Sequence, residues 1–217
     1  MRPAVALVVA KSPVVGRVKT RLGREVGLER AADLAAAALL DTVAACAAAY
    51  GADRCHLALD GVLAHGRLAD ELLDATADWT LHPQRGEGLA ERLVHAHSDA
   101  AAFSGAPVVQ VGMDTPHLST SVLVESGSLL TSTDSAVLGP AYDGGWWLLG
   151  VGGPHLLAHL ASVPMSTAST GERTRRALVR AGAQVTEITA LRDVDEVEDA
   201  EWAAAAAPES RFARSWR

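Results

Sequence analysis

Uninterrupted apolar runs alternate with helix-forming stretches along the chain, and this alternation constrains the fold more than any single residue. Residues 4–10 (Ala-Val-Ala-Leu-Val-Val-Ala) carry no polar side chain. A strand of that kind must be covered on both faces, as in the parallel sheets of α/β domains. A basic loop follows, then an Ala/Leu-rich helix over 29–50 that Gly51 stops. The same reading gives strands over 54–60, 79–82, 107–112, 136–138, 146–151 and 184–188. Helices are expected over 64–75, 89–103, 173–181 and 197–207, with another capped at Ser119 or Thr120. Residues 208–217 read as a frayed basic tail, which leaves one α/β domain over 1–207 with a mostly parallel central sheet.

Charge narrows the partners. A formal net charge of −7 and a pI near 5.6 disfavour nucleic acid and anionic membranes as partners. The apolar start after Arg2 is too short for a signal peptide and runs straight into Lys11. No other apolar run approaches the roughly 20 residues that span a bilayer. Cys46 and Cys55 form neither a disulfide framework nor a zinc motif. The expectation is a cytoplasmic protein with small-molecule partners, and a homodimer is left open.

Ligands of open α/β sheets bind in loops at the carboxyl ends of strands. The first such loop concentrates Lys11, Arg17, Lys19 and Arg21 in an otherwise acidic chain. Of the 19 lysines and arginines only Lys11 and Lys19 are lysines, which points to a need for a compact ammonium rather than a planar fork. Contact with phosphate oxygens supplies that need. Gly16 lets the backbone approach a ligand closely. A solvated basic loop is the plainer reading; the loop's position, its glycine and its lysines favour phosphate. Neither GxGxxG nor GxxxxGK[ST] is present.

Asp114 ends the strand over 107–112 in a turn fixed by Pro116, where a carboxylate suits a hard divalent cation. Asp193 and Asp195 precede a helix and point the same way from an extended segment, as a pair of metal ligands would. The other acids of that cluster, Glu196, Glu198 and Asp199, suit the first turn of the helix itself. Asp143-Gly144-Gly145, ahead of Trp146-Trp147, serves equally as a hairpin turn or as a backbone that admits a flat or sugar-like group.

Four blocks in order carry a resemblance: A-K-x-P-x-x-G-x-V-K-T-R-L from Ala10, G-x-D-x-P-x-L from Gly112, G-P-A-x-D-G-G from Gly139, and D-V-D-x-x-x-D from Asp193. Together they resemble the rSAM/selenodomain-associated transferase family, a GT-A-like group of the nucleotide-diphospho-sugar transferase superfamily. More distantly, the chain is similar to 2-phospholactate guanylyltransferase and molybdenum cofactor guanylyltransferase. The resemblance implies a GT-A-like Rossmann-type three-layer domain. It implies phosphate and nucleotide contacts at Lys11, Pro13, Gly16, Arg17, Lys19 and Arg21, and a base-side segment carrying Gln84, Gly86 and Arg92. Asp143, Gly144 and Gly145 join the substrate contacts, Lys19, Asp114 and Arg21 the catalytic set. The resemblance further implies that Asp114, Asp193 and Asp195 hold Mg²⁺ or Mn²⁺. Trp146-Trp147 stands where the family has an aromatic pair, often tyrosines. The implied activity is nucleotidyl transfer from an NTP to an anionic or phosphorylated acceptor. Glycosyl transfer from an NDP-sugar is the alternative, and a non-catalytic nucleotide-binding protein the third reading.

Overall fold

The computed structural model describes residues 2–217. In chain order the strands are β1 (Val5–Lys11), β2 (Cys55–Asp60), β3 (Thr80–Pro83), β4 (Val108–Val111), β5 (Ser135–Pro140), β6 (Trp146–Val151) and β7 (Gln184–Glu187). They form one sheet in the order β3-β2-β1-β4-β6-β5-β7. All pairings are parallel except those of β6, which runs antiparallel to both β4 and β5. The helices are α1 (Gly23–Val26), α2 (Leu28–Tyr50), α3 (Ala69–Ala75), α4 (Gly88–Ser104), α5 (Thr120–Ser128), α6 (Thr170–Arg180), α7 (Val197–Ala206) and α8 (Arg211–Trp216).

The unbroken apolar run of β1 has a direct cause. Ala6 and Val8 face Ala32, Leu39, Val43 and Cys46 of α2. Val5 and Leu7 face Ala96 and Ala100 of α4 on the other side. Successive side chains of a strand alternate between faces, so a strand sandwiched between helix layers is apolar at every position. Burial of each Leu or Val stabilises by about 1.5–3 kcal/mol. Helix α2 is long and apolar enough to cross a membrane by composition, yet its most apolar stretch is 67% buried against the protein. It is a core helix. Cys46 and Cys55 are free and buried.

Two expectations need correction. The helix expected over 64–75 starts only at Ala69, because Leu63–His65 is a separate 3-10 turn and Leu68 takes a left-handed conformation with φ 51°. Residues 208–217 are not a frayed tail: they contain α8, which docks on α2. Phe212 is 1% exposed, and the Asp41 carboxylate accepts from the backbone N–H groups of Arg211 (3.0 Å) and Phe212 (2.9 Å). So short a helix has little stability of its own, and tertiary packing holds it. Phe212→Ala is expected to cost about 3–5 kcal/mol in urea unfolding; a frayed tail would lose nothing.

His97 is buried between α4 and β4, its Nε2 3.1 Å from the Gln110 side-chain oxygen. Burial pushes its pKa down to about 4, against a smaller opposing effect of the Gln110 bond. The unfolded chain therefore takes up this proton first. The stabilisation from neutral His97 is complete above the ordinary histidine pKa and is lost as pH falls toward about 4. The loss is on the order of 3 kcal/mol. Urea unfolding between pH 7 and 4 should show this fall, and His97→Leu should lower its slope by about one proton.

Candidate active site

The loop after β1 lies across the carboxyl edge of the sheet. Ser12 fastens its start: the backbone N–H donates to Asp60 O (2.9 Å) and the hydroxyl to Val62 O (2.7 Å). Pro13 is buried behind it, its carbonyl accepting from Arg67 N at 3.0 Å. Val18 and Leu22 anchor the far end in the core, at 6% and 0% exposure. With Pro13, Val18 and Leu22 turned inward, the loop displays Lys11, Arg17 and Arg21 to solvent. Gly16 sits at φ 77°, where a side chain would strain the turn.

Lys19 behaves differently from its neighbours. Its backbone is left-handed, φ 44°, and its side chain turns into the molecule. There Nζ donates to Asp114 Oδ2 at 2.8 Å and to Asp195 Oδ1 at 3.1 Å. Burial opposes the charge, but the carboxylates of Asp114 and Asp195 outweigh it and hold the ammonium above its usual pKa. Arg21 Nη1 reaches Asp195 Oδ2 at 3.2 Å. Segment 193–195 is strapped to the Asp114 turn by a bond from Val194 N to Asp114 O, 3.0 Å. Asp199 accepts from the backbone N–H groups of Asp195 and Glu196, so it belongs to the α7 cap.

Asp193 has no such partner. Its Oδ1 is buried and unbonded, and burial followed by the charge of Asp114 raises its carboxyl well above the usual range. Among the described residues no three His, Cys, Asp or Glu side chains are gathered closely enough to hold a metal ion. The ammonium of Lys19 instead stands between Asp114 and Asp195. Carboxylates are the donor type a hard divalent cation takes, magnesium using one or two of them and filling its remaining positions with phosphate oxygens and water, and Asp193 keeps an oxygen without a hydrogen-bond partner.

The opposite wall comes from the β5–β6 turn and the loop before α6. Asp143 Oδ1 accepts from Gly145 N (2.7 Å), and Gly144 O accepts from Gly171 N (2.8 Å). Trp146 Nε1 donates to Thr174 Oγ1 at 3.1 Å, fixing its indole at the cleft. Trp147 belongs to the core, 2% exposed, and its ring occupies the space where Gly139 has no Cβ.

Between the walls lies a cleft of about 680 Å³. The structure brings Lys11, Arg17, Lys19, Arg21, Gln84, Asp114, Asp143, Gly145, Asp193 and Asp195 to its lining. Pro13, Gly16, Gly86, Arg92 and Gly144 lie outside that lining. Gln84 also has a scaffold duty, because its amide donates to Ala10 O (2.8 Å) and Ala58 O (3.0 Å) and ties β1 to β2. Arg92 is spent on Asp60, 3.0 Å away. His117 packs edge-on against Trp202, with burial lowering its pKa to about 4, and does not line the cleft. Sequence reasoning missed the segment Met165, Ser166, Thr167, Ala168 and Thr170, which completes the wall. The run of small hydroxyl residues ahead of a helix was its one sequence signal.

Residues 42–167 match the model of a family described as "Uncharacterized protein conserved in bacteria (DUF2064)". No curated protein matches the chain in sequence. Among solved structures it is similar to one from Desulfovibrio desulfuricans described as a nucleotide-diphospho-sugar transferase: TM-score 0.79 and 26% identity, covering 100% of this chain and 93% of that one. It is also similar to a cytidylyltransferase from Leptospira borgpetersenii, with TM-score 0.60 and 13% identity over 99% of this chain and 92% of the other. A structure from Bacillus anthracis described as a glucose-1-phosphate thymidylyltransferase gives TM-score 0.53 and 10% identity over 97% and 99% of the two chains. The last two likenesses establish the shared fold.

Proposed function

The chain belongs to the DUF2064 family, and from that premise and the charges of its cleft we propose that it is a nucleotidyltransferase. It moves a nucleoside monophosphate from an NTP to an anionic or phosphorylated small acceptor and releases pyrophosphate. An acceptor phosphate oxygen attacks the α-phosphorus as the bond to the β-phosphoryl oxygen breaks, and pyrophosphate leaves with that electron pair. No protein nucleophile is required. One observation carries the reading: the cations of the first loop, Asp114 after β4, and Asp193 and Asp195 ahead of α7 line the same cleft.

Lys11, Arg17 and Arg21, exposed on one loop, are available to neutralise a triphosphate and the charge that grows on the leaving group. A magnesium or manganese ion held by Asp114, Asp193 and Asp195 would supply Lewis-acid activation of the phosphoryl group. Trp146, Met165 and the Ser166-Thr167 segment offer an uncharged wall to the organic part of the acceptor.

Incubation with each NTP, Mg²⁺ and a panel of phosphomonoesters tests the proposal. Pyrophosphate release that requires both nucleotide and acceptor is the expected result. The description of the Desulfovibrio relative favours a second reading, glycosyl transfer from an NDP-sugar. Free NDP from an NDP-sugar, with no pyrophosphate from any NTP, would establish it in place of the first.

A further inference from the structure

The cleft holds a cation of the chain's own. Lys19 is only 10% exposed along its side chain, and its Nζ lies 2.8 Å from Asp114 Oδ2 and 3.1 Å from Asp195 Oδ1. The left-handed backbone at φ 44°, rare for a residue with a side chain, sends it there while the neighbouring Val18 is held in the core. The ammonium thereby takes the point at which two carboxylates converge. A third carboxylate, Asp193, keeps a buried oxygen without a hydrogen-bond partner. Among the described residues no set of three acidic or metal-ligating side chains is ready for an ion.

Of the other cations of the same loop, Arg21 shares Asp195 with Lys19, at 3.2 Å. Lys11 and Arg17 are exposed, and neither makes an ion pair among the described residues. A polyphosphate bound on this loop would bring several negative charges within reach of a lysine stem. Lysine suits such an exchange, being a compact charge on a flexible chain whose bonds do not depend on a planar fork. Its departure alone would leave Asp114 without a counter-charge and Asp195 with Arg21 only, so it is favourable when another cation replaces it.

We propose that Lys19 is a resident counter-ion that keeps divalent metal off Asp114 and Asp195 until a nucleotide polyphosphate draws the ammonium to itself. Metal binding is thus conditional on nucleotide, and the two ligands bind with positive coupling. The proposal rests on reading the cleft as a polyphosphate site.

Mn²⁺ binding to the nucleotide-free protein, followed by the electron paramagnetic resonance of the free ion, tests the blocking role. Lys19→Met is expected to bind Mn²⁺ at least tenfold more tightly than wild type, and the double variant with Asp114→Asn should lose that gain. Equal Mn²⁺ affinity in wild type and Lys19→Met would overturn the proposal. Lys19→Gln repeats the measurement should the Met variant fail to fold.

Wild-type protein labelled at lysine Cε tests the exchange, because its two lysines give two signals. Tripolyphosphate without metal should move the Lys19 signal, and Mg²⁺ alone should leave it in place. A Lys19 signal that stays fixed while that of Lys11 moves would show phosphate binding without exchange and overturn the proposal. A thermal-shift panel of NTPs with Mg²⁺ judges the transferase reading separately. No stabilisation by any nucleotide counts against that reading, whereas the Mn²⁺ comparison still decides the blocking role of Lys19.

Discussion

Asp114→Asn is expected to lower kcat/KM by about 10²–10³, equivalent to roughly 3–4 kcal/mol of transition-state stabilisation. Asparagine keeps the shape of the side chain, so Val194 N still finds the Asp114 carbonyl and the 193–195 segment stays strapped to the turn. What disappears is the charge. Lys19 loses its shorter ion pair and retains Asp195 at 3.1 Å, while Asp193 loses the neighbour that opposes its ionisation. The variant should therefore fold, and its urea unfolding should lie close to wild type. Pyrophosphate release at saturating Mg²⁺, measured for both proteins with the same NTP and acceptor, gives the comparison. Turnover equal to wild type would remove Asp114 from the chemistry, and loss of the fold would show a structural charge instead.

The residues that announced themselves in the sequence were those whose type is costly to explain otherwise. Two lysines in an arginine-rich chain, set after an apolar strand, marked the basic loop, and the aspartate after β4 marked the carboxylate that meets Lys19 in the cleft. Direction was not legible. Nothing in the sequence separates Lys19, turned inward at a left-handed φ, from Lys11, turned to water, because side-chain-bearing residues adopt that conformation without a compositional sign. For the same reason Arg92 reads as a ligand contact and is found paired with Asp60. The strand β6 illustrates a limit of periodicity. An apolar run buried on both faces looks alike whether it pairs parallel or antiparallel, and only the Asp143-Gly144 turn signalled the reversal. Helix α8 escaped notice because its stability comes from contacts with α2, which no local propensity records. The wall at residues 165–170 carries no charge at all, so a search for chemistry passed over it.

Gly144→Ala is expected to lower the unfolding free energy by about 2–4 kcal/mol, with a matching fall in Tm. Gly144 has φ 86°, and an added Cβ would collide with the carbonyl oxygen of Ala168 and stand 2.8 Å from its Cα. Those atoms are backbone, so no rotamer relieves the contact and the turn must separate from the 165–170 segment. The bond from Gly171 N to Gly144 O, 2.8 Å long, ties the start of α6 to the same turn and would be stretched with it. Gly182→Ala supplies the control. Its φ is 94° and an added Cβ meets nothing within 4 Å, so it carries the conformational strain without the collision and should cost about 1 kcal/mol. The difference between the two variants isolates the packing of the turn against the loop. In function the separation falls on the wall built by the β5–β6 turn and the 165–170 segment, so affinity for the acceptor should weaken more than nucleotide binding on the loop after β1. Equal losses for Gly144→Ala and Gly182→Ala would mean that the turn does not depend on its contact with Ala168.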